Sequence, residues 1–357
     1  MKNLIIILGI IIILVGFWEW KSKPEQNILP SDNKTPSITV IAENLDTPWA
    51  LVFLPASPAG GPGSSMLVTE RPGRVRLVDN NGNLQSEPVA TLSSAKEIGE
   101  GGLLGITIHP NFRTNNYVYL YYTYSGDEGN TLNRVVRMTY QDRHLKDEQI
   151  IVDKIPGASN HNGGRIKFGP DGFLYITTGD AQNPSRSQDK NSLAGKILKV
   201  TDDGKVGVYS YGHRNPQGIT WDDLGNLWET EHGQTAADEV NLIQPAGNYG
   251  WPVIQGDQSQ EDMVSPILHS GSNTWAPAGL TYYNGSLFFG GLRGQAFFEY
   301  NIESKKLTEH FKGEFGRIRE VILGPDNLLY ITTSNKDSRG NPIASDDRII
   351  KIDPQKI

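Results

Sequence analysis

The segments PDGFLYITTGD (Pro170 to Asp180) and PDNLLYITTSN (Pro325 to Asn335) are near copies of one another, and they decide the fold. Each begins with a turn and continues as a short strand of β-branched and aromatic residues. Weaker copies of the same pattern recur along the chain, roughly 40 to 60 residues apart. They are SSMLVTE from Ser64, NNYVYLYY from Asn115, LGNLWETEHG from Leu224 and NGSLFFGGLRG from Asn284.

A second predicted strand follows each copy and alternates apolar with polar residues, as a half-buried strand does. These strands are GRVRLVD from Gly73, NRVVRMTY from Asn133, GKILKVT from Gly195, DEVNLIQ from Asp238, QAFFEYN from Gln295 and DRIIKID from Asp347. A third class, which includes QIIVDKI near Ile151 and KLTEHFK near Leu307, precedes the next copy. Six units of about four strands predict an all-β, six-bladed β-propeller of four-stranded antiparallel blades.

The first predicted strand, ITVIAEN (Ile38 to Asn44), has no earlier blade to join. We therefore expect it to pair with the last blade and to close the ring, which makes residues 38–357 one propeller domain. A pair of β-sandwiches is the alternative that the strands alone leave open, and the six-fold count argues against it.

Composition excludes several classes of protein and of site. The chain has 357 residues, with 40 acidic and 33 basic side chains and a formal charge of −7 at pH 7. That balance argues against a nucleic-acid partner, which normally meets a basic face. The 20% of charged and 37% of hydrophobic residues are typical of a folded globule. Cysteine is absent, which excludes a disulfide scaffold, a thiolate metal site and a cysteine nucleophile.

The N-terminal segment differs from the repeats. Leu4 to Trp18 is an apolar run of about 15 residues, short for a transmembrane helix of about 20 but typical of a secretory signal. No small-residue cleavage site follows it, and Trp18 and Trp20 suit a membrane interface. Residues 1–21 therefore predict a signal-anchor or, second, a cleaved signal peptide; a buried element of the domain is the remaining alternative. Residues 22–37 are predicted to be a polar linker. With a signal segment ahead of it, the propeller is expected to lie outside the cytoplasm.

Two loops combine residues that could carry proton transfer and anion binding. His161 stands in SNHNGGRIKFGPDG, just before a predicted inner strand, and the two glycines after it let a ligand approach the backbone. A histidine with a pKa near neutrality can act as a general base, although a lone loop histidine more often bonds a carbonyl. The loop YGHRNPQGI brings together His213, Arg214, Asn215 and Gln217. Arg214 could bind a carboxylate there or brace two blades.

Charged residues in later segments suggest a cation site and an anion site. Asp238 and Glu239 are adjacent carboxylates beside Gly- and Asn-rich loops, and Ca²⁺ takes carboxylate and carbonyl oxygens. Such a pair is also ordinary on a solvated surface. Arg293, Arg317 and Arg319 fall on predicted inner strands or loops, and alternation places the last two on one side of their strand. An acidic chain that gathers arginines around its channel is expected to bind an anion there, unless they are separate surface residues.

Six ordered motifs give the chain a specific resemblance. They are LDTPWALVFLP from Leu45, TERPGRV from Thr69, GEGGLLGITIHPNF from Gly99, HNGGRIKFGPDG from His161, YGHRNPQG from Tyr211, and DEVNLI…GNYGWP from Asp238 to Pro252. Through them the chain resembles the soluble glucose/sorbosone dehydrogenases that depend on pyrroloquinoline quinone (PQQ), above all their aldose sugar dehydrogenase branch. The resemblance runs from about Ile38 to Asp353. The six-bladed propeller of that family agrees with the repeat count.

The resemblance implies an enzyme that oxidises aldose sugars at the anomeric carbon to lactones, with hydride passing to the quinone of PQQ. His161 would be the general base, and Arg214 would stabilise developing charge on the quinone oxygens. The residues that the resemblance implies at the cofactor are Glu100, Arg214, Asn215, Gln217, Arg293, Arg317 and Arg319.

The resemblance also implies two Ca²⁺ ions. One, at the cofactor, would use the backbone carbonyls of Gly233 and Gln234 and polarise the quinone as a Lewis acid. A second, structural Ca²⁺ would use Glu239 and the backbone of Tyr249.

Several positions depart from the pattern of the family. Glu100 stands where relatives usually have glutamine, and a carboxylate beside a tricarboxylate cofactor has to be protonated or paired. Trp275 is bulkier than the residue expected at the cofactor's edge, and Asn160 replaces an aspartate of the glucose dehydrogenase branch. Arg293 replaces a lysine of that branch and keeps the positive charge. The long insertions of that branch are missing, which implies a monomer with a more open sugar site.

Two other functions stay open at this point. A propeller of the same descent could have lost the cofactor and bind only a sugar or a protein partner. A Ca²⁺-dependent hydrolase of the propeller lactonase type would need several carboxylates converging on one channel metal. For the dehydrogenase, the expected partners are an aldose substrate and an external electron acceptor, either a quinone or a cytochrome. The membrane would be reached through the N-terminal segment only, with the enzyme anchored or secreted into the periplasm or onto the cell surface.

Overall fold

Six four-stranded antiparallel sheets make up the described part of the chain. The computed structural model describes residues 37–55, 64–201 and 204–357, in which 24 strands are found. Each sheet is one blade, and the predicted six-bladed propeller is confirmed. Two one-turn helices, α1 (Phe112–Asn115) and α2 (Ser185–Gln188), lie in loops after β6 and β11. Among the described residues no helix has the length and apolar character needed to cross a membrane.

Within each blade the chain runs from an innermost to an outermost strand. The innermost strands are β2 (Pro48–Phe53), β6 (Leu103–Ile108), β10 (Ile166–Phe168), β14 (Pro216–Trp221), β18 (Pro277–Tyr283) and β22 (Ile318–Leu323). The second strands are β3 (Met66–Glu70), β7 (Tyr117–Ser125), β11 (Leu174–Thr178), β15 (Leu227–Glu231), β19 (Ser286–Gly291) and β23 (Leu329–Thr333). The third strands are β4 (Arg74–Val78), β8 (Thr131–Gln141), β12 (Lys196–Val200), β16 (Glu239–Ile243), β20 (Phe297–Asn301) and β24 (Ile349–Ile352). The outermost strands are β5 (Ala90–Thr91), β9 (His144–Pro156), β13 (Val206–Tyr211), β17 (Leu268–His269), β21 (Lys306–His310) and β1 (Ile38–Ala42).

The innermost strands contact one another in a closed ring around a central channel. In order, β2 contacts β6, β6 contacts β10, and the series continues through β14, β18 and β22 back to β2. Burial falls from the second strand outward. Every residue of β11 and of β23 is buried, whereas most of β9 is exposed or half-buried. The second strands are flanked by sheets on both faces, which explains why their apolar runs form the most recognisable repeats of the sequence.

The N-terminal strand closes the ring, as predicted. β1 pairs antiparallel with β24, with Ile38 opposite Ile352 and Val40 opposite Ile350. The last blade therefore takes its outermost strand from the beginning of the domain and its other three from the end. This pairing covers an edge that would otherwise be open to another chain. The predicted signal segment (residues 1–21) and nearly all of the predicted linker (residues 22–37) lie outside the described residues.

Candidate active site

The candidate site lies on the face of the ring where the innermost strands begin. Because adjacent strands are antiparallel, this face also carries the loops that follow the second strands. The residues just ahead of the innermost strands include Glu100, His161, Arg214 and Arg317. The loops after the second strands contribute Asp180, His232, Arg293 and Arg339. Distant parts of the sequence therefore meet on one face.

His161 is paired with a buried carboxylate. Its Nδ1 lies 2.8 Å from Oδ1 of Asp180, which is fully buried. An ionised carboxylate can only accept, so Nδ1 carries the hydrogen and Nε2 keeps its lone pair. The His161 side chain is 20% exposed, and no hydrogen bond joins Nε2 to a described residue. Nε2 is therefore available to take a proton from a bound hydroxyl group.

The backbone at His161 is held in an uncommon conformation. Its φ of 62° lies in the left-handed region, where few non-glycine residues are found. Its N–H donates to Oε2 of Glu100 at 3.3 Å. Gly179 approaches from the other side so closely that a Cβ there would lie 2.0 Å from the carbonyl oxygen of His161. Only glycine allows this approach, which brings the neighbouring Asp180 within reach of the imidazole.

Asp180 is itself fixed by further donors. Nε1 of Trp251 donates to its Oδ2 at 2.9 Å, and the N–H of Gln182 donates to its Oδ1 at 2.8 Å. Its own N–H donates to the carbonyl of Arg214 at 2.8 Å. The carboxylate therefore cannot rotate freely, and it fixes the orientation of the imidazole.

Arg214 lies beside this pair with part of its guanidinium unused. Its Nη1–H donates to the carbonyl of His232 at 3.2 Å, and its backbone N–H donates to Oε2 of Glu231 at 2.7 Å. The guanidinium carbon lies 5.2 Å from the ring centre of Trp251. Burial lowers the pKa of Arg214, with the carboxylates of Asp180 and Glu231 opposing the shift. The side chain remains a cation, because an unperturbed guanidinium has a pKa above 12.

Asn215, Gln217 and Arg319 form one buried network next to Arg214. Oδ1 of Asn215 accepts the N–H of Gly163 at 3.1 Å and Nε2–H of Gln217 at 3.2 Å. Oε1 of Gln217 accepts Nη1–H of Arg319 at 2.8 Å. The network joins β14 and β22 with the loop that precedes β10, so its members are held at fixed positions before any ligand binds.

Three buried donors of this group have no hydrogen-bond partner among the residues that the structure describes. They are Nε of Arg214, Nδ2 of Asn215 and Nε of Arg319. A buried donor without an acceptor costs about 1–3 kcal/mol, so a ligand that supplies acceptors would relieve this cost. Because two of the three belong to guanidinium groups, the matching ligand is an anion rich in carboxylate or carbonyl oxygens.

Glu100 is neutralised by an arginine from the last blade. Nη1 of Arg339 lies 2.7 Å from Oε1 of Glu100, and Nη2 donates to Oδ1 of Asn160 at 3.1 Å. Burial of the Glu100 carboxylate favours a higher pKa, but the neighbouring cations, led by His232 and Arg339, outweigh it and lower the pKa to about 2. Glu100 is thus ionised and paired at neutral pH.

We expect the pairing of Glu100 to produce a specific acid sensitivity. Its pKa is near 4.5 when unperturbed and about 2 in the folded protein, so its contribution to stability is complete above about pH 4.5 and is lost as the pH falls toward 2. Glu100→Gln should lower the free energy of unfolding by about 1–3 kcal/mol at pH 7. The gap to the wild type should shrink between pH 4.5 and pH 3 in thermal denaturation.

Glu128→Gln provides the control, because Glu128 is an exposed carboxylate on the turn between β7 and β8. That variant should match the wild type at every pH. A gap for Glu100→Gln that stays constant from pH 7 to pH 3 would contradict the assigned ion pair.

The other predicted arginines are placed differently. Arg317 is buried and its guanidinium is engaged by Oδ2 of Asp337, at 2.7 and 3.0 Å, and by the carbonyl of Leu292 at 3.1 Å. Arg293 is exposed and lines a groove of about 640 Å³ on the same face. Arg319 therefore offers an unused donor to the channel, while Arg317 is already paired.

Trp275 does not project into the site as a bulky obstacle. Its ring packs against Phe289 and Phe298, with centroids 5.8 and 5.6 Å apart, and the side chain is buried. Its backbone N–H donates to Oδ2 of Asp238 at 2.6 Å. Asp238 also accepts the N–H of Gly233, so this carboxylate organises the loops around it.

Three of the four predicted metal-binding residues line one small cavity. Gly233, Glu239 and Tyr249 surround a space of about 10 Å³, enough for one water molecule or one ion. Gln234 is exposed and lies outside its lining. No backbone N–H of the described residues donates to the carbonyls of Gly233 or Gln234.

The electrostatics next to this cavity favour a cation. Glu229, Glu231 and Glu239 are buried, and Nδ2 of Asn241 donates to all three at 3.1 to 3.4 Å. Burial and the charge of Glu231 raise the pKa of Glu229, and the same causes raise that of Glu239 to about 8. Among the described residues no lysine or arginine forms an ion pair with these carboxylates, and Nδ1 of His213 lies 3.4 Å from Oε1 of Glu231. A bound cation would supply the missing positive charge.

Two residues of the site were not predicted from the sequence. Asp180 is the last residue of the repeat PDGFLYITTGD, and Asn335 is the last residue of the final copy. The carboxylate at the end of a strand that faces the channel was the signal in the sequence that could have identified Asp180. Arg339 stands in the loop after β23, and nothing in the sequence links it to Glu100, 239 residues away.

Comparison with known proteins identifies the family. The model of the glucose/sorbosone dehydrogenase family matches residues 45–343. The aldose sugar dehydrogenase YliI of Escherichia coli is 29% identical over 364 residues, which cover 90% of this chain and 94% of that protein.

Solved structures agree with this match. The PQQ-bound aldose sugar dehydrogenase of Streptomyces coelicolor is 35% identical with a TM-score of 0.81, covering 88% of this chain and 97% of the other. A putative oxidoreductase (glucose dehydrogenase) of Thermus thermophilus is 40% identical with a TM-score of 0.80, covering 88% and 99%. All three relatives are named as dehydrogenases of sugars. The chain belongs to the glucose/sorbosone dehydrogenase family.

Proposed function

We propose that this protein is a PQQ-dependent aldose sugar dehydrogenase that oxidises the anomeric carbon to a lactone. The observation that carries the proposal is the set of unpartnered buried donors on Arg214, Asn215 and Arg319 beside the His161–Asp180 pair. These donors need an acceptor-rich anion, and the free Nε2 of His161 needs a proton donor. A tricarboxylate quinone together with a sugar hydroxyl group would satisfy both requirements.

The predicted cofactor residues fit such an anion in chemistry and charge. Arg214, Arg319 and Asn215 offer the unpartnered donors, and Gln217 positions Arg319. Arg293 adds positive charge near the site, whereas the charge of Arg317 is already compensated by Asp337. Glu100 would lie beside the cofactor without repelling it, because its charge is compensated by Arg339. When bound, PQQ supplies a quinone carbon that accepts hydride and so removes two electrons from the sugar.

Residues of this chain would accept the proton of the sugar and release it. Nε2 of His161 accepts the proton of the anomeric hydroxyl group as the C1–H bond gives up its hydrogen with both electrons, and the C1–O bond becomes the carbonyl of the lactone. Asp180 stabilises the imidazolium that forms, because its carboxylate accepts the Nδ1–H. His161 then releases the proton to solvent. Arg214 is positioned to stabilise negative charge that develops on an acceptor oxygen.

Two Ca²⁺ ions would be bound beside the site. One, at the cofactor, would be held by the backbone carbonyls of Gly233 and Gln234, and a second, structural ion would be held by Glu239 and the backbone of Tyr249, because Ca²⁺ prefers oxygen ligands. The buried carboxylates around Asn241 supply the negative charge. The first ion would act as a Lewis acid toward a bound quinone, and the second would stabilise this region.

The expected setting is outside the cytoplasm. The apolar run Leu4 to Trp18 and the polar residues up to Ser37 support a protein that is membrane-anchored or secreted, in the periplasm or at the cell surface. An external quinone or cytochrome would reoxidise the cofactor. The net charge of −7 supports the absence of a nucleic-acid partner, and the missing insertions support a monomer.

Reconstitution tests the proposal. The full chain in mild detergent is supplied with PQQ and Ca²⁺, and dye reduction is followed with a panel of aldoses. We expect turnover that requires PQQ and is lost after treatment with EDTA. Isothermal titration with PQQ separates the main alternative: a folded protein that shows neither turnover nor binding at high micromolar PQQ would be a cofactor-free propeller that binds a sugar or a protein.

A further inference from the structure

A second cavity lies in the central channel, further along the innermost strands than the candidate active site. It has a volume of about 120 Å³ and is lined by residues of all six innermost strands. Its walls are largely apolar, with Leu51, Ile106, Ile219 and Leu280 among them. Its charged side chains come from two blades, namely Arg165 and Lys167 of the third blade and Glu320 of the last.

Arg165 is buried with an unused donor. Its side chain is only 7% exposed, and its guanidinium carbon lies 4.3 Å from the ring centre of Trp49. Nε donates to the carbonyl of Gln217 at 3.0 Å, and Nη1 donates to Oε2 of Glu320. Nη2 has no hydrogen-bond partner in the described part of the chain. A buried guanidinium nitrogen of this kind requires an acceptor in the cavity.

Lys167 brings a second cation without a partner. It lies on β10, two residues after Arg165, which immediately precedes that strand, and it is half-buried, so solvent can reach it. No hydrogen bond or ion pair joins its Nζ to a described residue. The oxygens of Glu320 are already engaged, Oε2 by Arg165 and Oε1 by the N–H of Val321 at 3.0 Å. The single carboxylate of the cavity is therefore used by the arginine.

The charge of the cavity is unbalanced. Two cationic side chains face one carboxylate between apolar walls, where an uncompensated charge is costly. A water molecule could satisfy the hydrogen bonds of Nη2 and Nζ but could not balance the charge. Without an anion, burial favours the neutral amine and lowers the pKa of Lys167 to about 8. Both groups are donors, so an ion that accepts hydrogen bonds from them is the matching ligand.

We propose that this cavity binds one small monovalent anion, of the size of nitrate, chloride or formate, through Arg165 and Lys167. A single negative charge neutralises the cavity, which disfavours a divalent ion. The site is separate from the candidate active site, and it does not depend on the proposed dehydrogenase function. It is next to the hydrogen-bond network of that site. Arg165 donates to the backbone carbonyl of Gln217, and the side chain of Gln217 accepts a hydrogen bond from Arg319.

Thermal denaturation of the full chain in mild detergent tests the site without any cofactor. Sodium nitrate is titrated at pH 7, with ionic strength held constant by the bulky sulfonate MES. We expect a saturable rise of the melting temperature of about 2 °C. Lys167→Met should abolish the rise. Lys146→Met, which removes an exposed lysine on β9, should keep it.

A pH series on the wild-type protein provides a second measurement if Lys167→Met does not fold. The charged groups that face Lys167 are Arg165, just before β10, and Glu320 on β22, and Arg165 stays protonated through this range. The nitrate-dependent rise should therefore be present at pH 7 and fall by half or more at pH 9.5, where Lys167 is neutral. A rise that is equal at both pH values, or equal in Lys167→Met and the wild type, would overturn the proposal.

Discussion

Replacing His161 by alanine is expected to lower the turnover of aldoses by about 10²–10⁴-fold in the full chain supplied with PQQ and Ca²⁺, the range that a general base contributes. Nε2 of His161 is free to accept a proton, and its Nδ1–H is held by Asp180. The variant removes the base while the neighbouring donors on Arg214 and Arg319 stay in place. The affinity for PQQ, measured by isothermal titration, should therefore change by no more than a few-fold.

His144→Ala is the matched control for this variant. His144 is exposed on β9, and its Nδ1 lies 2.8 Å from the carbonyl of Asp142 in the same turn. Its loss should leave turnover unchanged. Turnover retained in His161→Ala, with PQQ bound, would refute the assignment of His161 as the base. Loss of PQQ binding in that variant would instead make His161 a residue that holds the cofactor.

Asp180→Asn is expected to lower turnover by a similar factor, about 10²–10⁴-fold, although it changes little in shape. The carboxylate accepts from Nδ1 of His161 and so leaves the lone pair on Nε2. An asparagine amide can instead donate to Nδ1, which moves the hydrogen to Nε2 and removes the base. It also loses the negative charge that stabilises the imidazolium.

The pH dependence of turnover distinguishes this positioning role from a merely structural one. In the wild type, the carboxylate of Asp180 stabilises the imidazolium that His161 becomes after it accepts the proton. The variant should therefore shift the pH range over which turnover rises, as well as lower the maximal turnover. Asp326→Asn is the control, because Asp326 is exposed in the turn between β22 and β23 and accepts a hydrogen bond from Tyr330. A fall in turnover with an unchanged pH profile and a lowered melting temperature would indicate damage to the fold alone.

Most of the fold could be predicted because its signals are local. The second strand of each blade is buried on both faces, so every blade needs the same apolar run after a turn, and β11 and β23 are near copies. The leftover strand β1 could be assigned to the last blade because four strands are needed in each. The site was predictable where its residues share a short loop, as Arg214, Asn215 and Gln217 do.

The sequence by itself thus determined the six-fold repeat, the closing strand and the face on which His161 and the arginines meet, since each depends on short-range pattern and strand direction. Only the tertiary structure decided which charges pair. Closure of the ring brings Arg339 to Glu100 and Glu320 to Arg165, pairs that lie 239 and 155 residues apart in the chain. The tertiary structure also pairs Arg317 with Asp337, and it leaves donors of Arg214, Arg319 and Arg165 without a partner among the described residues. Whether a buried charge is neutralised or left for a ligand depends on side-chain distances of a few ångströms, which spacing along a sequence does not contain.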